Sequence, residues 1–326
     1  MIITRTPLRI AIGGGGTDLP SYYSQFGGFF ISAAIDKYIY ISMQRTFTNE
    51  VILKYSKMER VQSLDEIEHD IVRSALTSYD FSKGFEMASF ADIPAGTGLG
   101  SSGSFTVGLL KGLSALDNKI MPADMLAHQA SHLVMETLNR PDGKQDQYAA
   151  AYGGINCYTV NPGGQVSVES LQMSHETLDK LRDHLALFFT GFYRQSEKNL
   201  NIQKEKSEAG DSAMLESLHF IKGLGFKIKD ALEKGNIETF GLLMNEHWKH
   251  KKKRLGDMTN SLIDNWYDLA LQNGALGGKV IGAGGGGFLL FYSTDREKLA
   301  DVLTKAGLQH VRFDFDFEGS KLLATV

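Results

Sequence analysis

Apolar residues recur along the chain in two periods, and the switches between them predict the elements. Thr4–Ile12 alternates and is rich in isoleucine, so it predicts a strand. Phe29–Met43 is mostly β-branched and apolar and predicts two strand pieces; Val51–Tyr55 predicts a third short one. Leu64–Tyr79 has helical spacing, and Phe85–Ile93 returns to a strand pattern. Thr106, Leu109, Leu113 and Leu116 recur at three and four, as do Leu126, Ala130, Leu133 and Thr137, which predicts two helices, the second opened by Pro122. Further on, Leu185–Thr190 predicts a strand, and helices follow around Asp211–Lys234, Ile237–Leu255 and Ser261–Asn273. A strand–glycine–strand unit over Lys279–Tyr292, a helix near Glu297–Ala306 and a strand over Val311–Phe317 complete the pattern. The turn cluster Asn161–Gly164 opens a polar stretch, and a division into two domains, 1–168 and 169–326, is expected there.

Composition narrows the function classes. The 326 residues suit two domains of ordinary size, and 42% hydrophobic with 22% charged residues is the usual globular mix. A net charge of −4 argues against a protein whose task is to grip nucleic acid. The longest apolar run, Leu185–Phe189, is far short of a membrane span, so no membrane partner is expected. No leader-like segment precedes the first strand, and the single cysteine, Cys157, suits a reducing compartment; a cytoplasmic protein is expected. Glycine is over-used, 35 against 6 prolines, and the glycines cluster.

The cluster Pro94–Gly103, PAGTGLGSSG, lies between a predicted strand and a predicted helix. Glycine lets a backbone approach a ligand closely, and the amides opening a helix are unpaired at the positive end of its dipole. Pro94, Gly96, Gly98, Leu99, Gly100, Ser101, Ser102 and Gly103 therefore form a candidate phosphate cradle, against the plainer reading of a flexible loop before a capped helix. Gly98, Gly100 and Gly103 also satisfy the dinucleotide pattern G-x-G-x-x-G, as do Gly282, Gly284 and Gly287. A nicotinamide-dependent oxidoreductase is thus the rival class, but the first match stands too far from its strand and a strand follows the second. His128, His132 and Glu136 share a helix face, which reads as an exposed polar face rather than a zinc site.

PLRIAIGGGGTD at residues 7–18, PAGTGLGSSG at 94–103 and GAGGGGF at 282–288 together resemble the three motifs of the GHMP kinases, in the right order and over nearly the whole chain. The resemblance implies a two-domain α/β (α+β) fold with ATP and Mg²⁺ in the cleft between domains. It is greatest to the sugar kinases that phosphorylate an anomeric hydroxyl, above all those acting on a heptose phosphate, with L-fucose kinases as the alternative; a sugar phosphate is the expected partner.

The same resemblance implies residue roles. Asp146, in the Asp-Gln pair of GKQDQY, matches the carboxylate that contacts the reacting hydroxyl, and Arg9 matches the arginine beside it. Asp18 matches a sugar-binding carboxylate; Ser102 and Glu136 are the candidates near Mg²⁺, although Glu136 is ten residues before Asp146 where eleven or twelve is usual. Gly284 and Gly285 of the third motif are expected at the substrate. Gly15 and Gly16 replace the Glu-His of galactokinases, which makes room and removes an acid that would repel a phosphorylated tail.

Helical periodicity adds a cation to this pocket. Phe240, Met244, Trp248, Lys251 and Leu255 fall on one stripe, so Lys251 sits among core-facing residues with Lys252 beside it. Lys251, Lys252 and Arg194 are expected to read the acceptor's phosphate.

Overall fold

The computed structural model describes all residues except 82–83, 194–195, 255–257 and 326, with the side chain of Ser196 also left undescribed. The expectations for Arg194 and Leu255 lie outside the described residues.

Two sheets organise the chain. The first is built from β1 (Ile2–Gly13), β2 (Gly28–Arg45), β3 (Val51–Lys54), β4 (Met58–Val61), β5 (Phe85–Ala91), β6 (Ile155–Val160) and β7 (Val166–Ser170). The second contains β8 (Leu185–Phe189), β9 (Ala275–Val280), β10 (Phe288–Ser293) and β11 (Gln309–Val311); the last strand, β12 (Lys321–Thr325), returns to the first. The main order of the first sheet is β12-β1-β2-β5-β3-β4, with β6 and then β7 continuing from β2; the second runs β11-β8-β10-β9. All pairings are antiparallel except β3 with β5.

The helices are α1 (Pro20–Phe26), α2 (Asp70–Ser78), α3 (Ser101–Leu116), α4 (Ala123–His132), α5 (Gln145–Tyr152), α6 (His175–His184), α7 (Ser196–Glu208), α8 (Ser212–Glu233), α9 (Ile237–Arg254), α10 (Ser261–Gln272) and α11 (Arg296–Lys305). Among the described residues no helix is long and apolar enough to cross a membrane.

Two expectations change. The two strand pieces over 29–43 are one strand, because β2 pairs with β1 along one edge and changes partner on the other, from β6 at Gly28–Ala33 to β5 at Ile39–Arg45. The Asn161–Gly164 turn is not a link between domains: it closes the β6–β7 hairpin inside the first sheet. A division after residue 168 therefore falls within β7, and residues 321–325 pair with β1 rather than with the second sheet. The mostly exposed β7 carries little apolar signal, so in sequence it is indistinguishable from a polar linker.

Strand alternation builds the core. Leu185 and Leu187 on β8, with Phe288, Leu290 and Tyr292 on β10, face a core continuous with Leu8, Ile10 and Ile12 of β1. Ala186, Phe188, Leu289 and Phe291 point the other way, onto Trp248, Ile263 and Tyr267 of α9 and α10. The second sheet is thus buried on both faces, and one face is shared with the first unit.

Candidate active site

A cleft of about 180 Å³ is bounded by β1 and its glycine turn, the loop before α3, the start of α5, and α7, α9 and β9. Strand β1 is its hub. The Arg9 amide donates to Leu99 O (3.0 Å) and Arg9 Nη1 donates to Gly98 O (2.7 Å), which ties the second glycine loop to β1. Lys279 Nζ donates to Ile12 O (2.8 Å), which ties β9, the strand leading into the third motif, to the same strand.

The loop before α3 has the expected geometry. Gly96, Gly98 and Gly100 all have positive φ, and Gly100, in the left-handed region at φ 79°, stands at the N-cap of α3 without any side-chain cap. The first amides of α3 therefore lack a side-chain acceptor, and Ser101 Oγ is buried without a partner. Ser102 and Gly103 line the cleft beside it. This cradle of open donors fits a phosphate chain.

Arg9 and Asp146 meet at the mouth of the cradle. Arg9 Nε donates to Asp146 Oδ1 (2.8 Å), and Nη2 donates to the same oxygen. The arginine is buried, and the carboxylate keeps about a third of its surface open. Asp146 lies in the first turn of α5. Asp18 sets the position of that helix: its Oδ2 accepts from the Gln145 amide (3.0 Å) and its Oδ1 from the Gly16 amide (3.1 Å). Burial raises the Asp18 pKa, and the Asp146 charge adds to the rise. Each Asp18 oxygen retains a lone pair for a hydroxyl donor.

Other expected residues stand elsewhere or are already engaged. Glu136 does not line the cleft: it lies in a π-helical turn, Leu133–Thr137, with its side chain 69% exposed and paired with His132 Nε2 at 3.2 Å. Lys252 pairs with Asp264 (3.0 Å) outside the cleft. Lys251 does reach the cleft, but its ammonium donates to Val280 O (3.0 Å) and Gly282 O, and so braces the third glycine turn. Gly284 and Gly285 also miss the lining; the Gly285 amide donates to Met258 O (2.9 Å), and Gly282 and Ala283 face the cavity instead. Gly15 and Gly16 line it as expected, but Pro94 and Leu99 do not: Leu99 is buried with its carbonyl on the Arg9 amide, and Pro94 O accepts the Thr97 hydroxyl (2.9 Å).

Several lining residues had not been singled out. Asp142 is a third carboxylate beside Asp18 and Asp146, and burial, assisted by the Asp146 charge, pushes its pKa up to about 6. Lys279 is buried, 3.3 Å from His247 Nδ1; burial, and then the Arg9 charge, push its pKa down to about 7. His247 is held well below its ordinary range by burial and by Lys279. Arg254 closes the far side. Lys279 stands three residues before the third motif and Arg254 ends the basic run KHKKKR at 249–254, but nothing local aims either into a cleft.

The residues present fit a nucleotide with its divalent cation: open amides for phosphate, Ser102 at the rim of the cradle and carboxylates across from it. Among the described residues there is no group of three or more His, Cys, Asp or Glu arranged to hold a metal by itself. A nucleotide-borne Mg²⁺ commonly needs only one or two protein carboxylates besides phosphate and water.

Comparison with known proteins agrees with this geometry. The GHMP kinases N terminal domain matches residues 61–154, and the GHMP kinases C terminal domain matches 228–309. The chain is 31% identical to a D-glycero-alpha-D-manno-heptose 7-phosphate kinase of Campylobacter jejuni, over 98% of each protein. It is 25% identical to an L-fucokinase/L-fucose-1-P guanylyltransferase of Bacteroides fragilis, over 92% of this chain but 36% of that one. A crystal structure of a D-glycero-D-manno-heptose 1-phosphate kinase from Bacteroides thetaiotaomicron superposes with a TM-score of 0.81 at 26% identity, covering all of both chains.

Proposed function

The chain belongs to the GHMP kinase family and is a phosphotransferase; from that premise we propose that it moves the γ-phosphoryl group of ATP to the anomeric hydroxyl of D-glycero-D-manno-heptose 7-phosphate, giving the 1,7-bisphosphate. The observation that carries the chemistry is the Arg9–Asp146 pair at the open N-terminus of α3. Phosphoryl transfer asks a protein mainly for positioning and charge neutralisation. The amides of Ser101–Gly103 hold the phosphates, and Asp146 Oδ2, which Arg9 leaves free, takes the proton of the attacking hydroxyl. Arg9 keeps that carboxylate oriented and its guanidinium faces the transferring group. Asp18 orients the sugar ring through its remaining lone pairs. Mg²⁺ bound with ATP would neutralise the phosphate oxygens, with Ser102 and a cleft carboxylate as the residues near it.

The acceptor is argued from the Campylobacter jejuni relative and from the pocket. Gly15 and Gly16 put no acidic side chain at those two positions, and the Arg254 guanidinium stands beside Gly16. The test is ATP consumption by the wild-type protein against D-glycero-D-manno-heptose 7-phosphate, the unphosphorylated heptose, the heptose 1-phosphate, L-fucose and galactose. A clear preference for the 7-phosphate supports the reading. A preference for L-fucose overturns the acceptor while leaving the kinase assignment in place.

A further inference from the structure

We propose that Arg254, the last residue of α9, holds the phosphate that the acceptor sugar already carries and so sets the enzyme's preference for a phosphorylated substrate. The proposal rests on the heptose phosphate reading above and assigns the residue that enforces it.

Arg254 faces the glycine turn of β1. A Cβ built on Gly16, which has φ 93°, would stand 3.1 Å from Arg254 Nη1, so the side chain missing from residue 16 is the space the guanidinium uses. Its Nε and Nη1 are buried and have no hydrogen-bond partner among the described residues. Among the described residues the carboxylate whose charge acts on it is Asp18, whose two oxygens already accept the Gly16 and Gln145 amides. Burial pushes the guanidinium's pKa down to about 10, so the site disfavours the charge it contains. A half-buried guanidinium whose Nε and Nη1 are shut off from solvent and have no acceptor among the described residues is costly, and an arriving phosphate supplies what is missing.

Three cations near it are already engaged. Lys251 is on the Val280 and Gly282 carbonyls, Lys252 on Asp264, and Lys279 on Ile12 O. The open Nε and Nη1 of Arg254 lie on different edges of the guanidinium, and each offers a charged donor to a phosphate oxygen. Asp18 interacts electrostatically with both Asp146 and Arg254, and all three line the same cleft. Arg254 also forms part of the wall of a second cavity, of about 510 Å³, where Lys206, His250 and Lys253 stand with Asp211 and Glu216.

The experiment compares wild type, Arg254→Gln and Arg254→Lys by steady-state kinetics on heptose 7-phosphate, on unphosphorylated heptose and on ATP, with thermal melts of each. Loss of a charge-assisted phosphate contact is expected to raise KM for the 7-phosphate on the order of ten- to a hundredfold in Arg254→Gln. KM for the unphosphorylated sugar and for ATP should stay near wild type, and Arg254→Lys should recover part of the loss. The ligand-free Gln variant should melt no lower than wild type, because two buried guanidinium donors without acceptors are gone. Equal losses on the two sugars would make Arg254 a structural support and overturn the proposal. A rise confined to KM for ATP would place it at the nucleotide and overturn it as well. A wild type that uses the 7-phosphate, with an unimpaired Gln variant, sinks the role of Arg254 alone; a wild type that prefers a neutral sugar sinks the heptose phosphate reading and this proposal with it.

Discussion

Gly103→Ala adds one methyl group, and the structure says where it goes. Gly103 is the third residue of α3, and a Cβ built there would stand 2.5 Å from Asp146 Cβ, 3.0 Å from the Asp146 carbonyl carbon and 3.1 Å from the Gln147 amide nitrogen. Ordinary contact begins near 3.4 Å, so α3 and the start of α5 must separate by roughly 1 Å. Two of the three nearest atoms are backbone, so no side-chain rotation relieves the overlap. α5 is also held by Asp18 on the Gln145 amide and by Arg9 on the Asp146 carboxylate, and the displacement acts on those bonds. Misplacing a reacting group by about 1 Å costs on the order of a hundredfold in rate, or about 2.7 kcal/mol of barrier. Helix propensity works the other way, because alanine is better than glycine inside a helix by about 1 kcal/mol. Overpacking costs about 1–3 kcal/mol, so net stability should change little or fall modestly. The assay is kcat by coupled ADP detection, with ATP affinity by titration and Tm by melting. Gly223→Ala on α8, where a Cβ meets nothing within 4 Å, is the control and should leave kcat unchanged. A folded, ATP-binding Gly103→Ala protein with kcat within a few-fold of wild type would refute the claim that this contact positions Asp146.

Asp146→Asn should keep the fold and ATP binding but lower kcat by about a hundredfold or more, because the proton acceptor is lost; near-normal kcat removes Asp146 from the mechanism. Asp142 has a pKa raised by burial from 3.8 to about 6, so the folded state binds more protons than the unfolded state between those values. Stability therefore declines as pH rises through that window, and Asp142→Asn should stabilise the protein at pH 8 by about 1–3 kcal/mol, partial exposure discounted, with no gain near pH 4. Denaturant melts at the two pH values check this; equal effects at both would sink it. Lys279, with a pKa near 7, is largely neutral at pH 8 in the free protein, and an arriving phosphate favours its charged form. Calorimetric titration of ATP at pH 8 in two buffers of different ionisation enthalpy should show proton uptake that Lys279→Met abolishes; identical uptake in the variant assigns the proton to another group.

How much of this was legible in the chain depended on the range of the interaction. The uncapped helix start after three positive-φ glycines is a local matter, so PAGTGLGSSG announced its own cradle. Arg9 and Asp146 were identified by resemblance; what joins them is a contact spanning 137 residues. Glu136 was placed by counting back from Asp146, but the π-helical turn that carries it leaves its carboxylate in solvent.

The α9 stripe shows the limit most clearly. Periodicity correctly turned Lys251 inward, yet it could not tell that Val280 and Gly282, about 30 residues on, would occupy its ammonium. Nor could it tell that Arg254, one turn later, would keep its donors open beside Gly16. Propensity, capping and periodicity act over a few residues and are written in the order of the chain. Which cation has a carbonyl partner and which is left for a ligand depends on elements brought together around β1, up to 267 residues apart in the case of Lys279 and Ile12, and only their packing decides it.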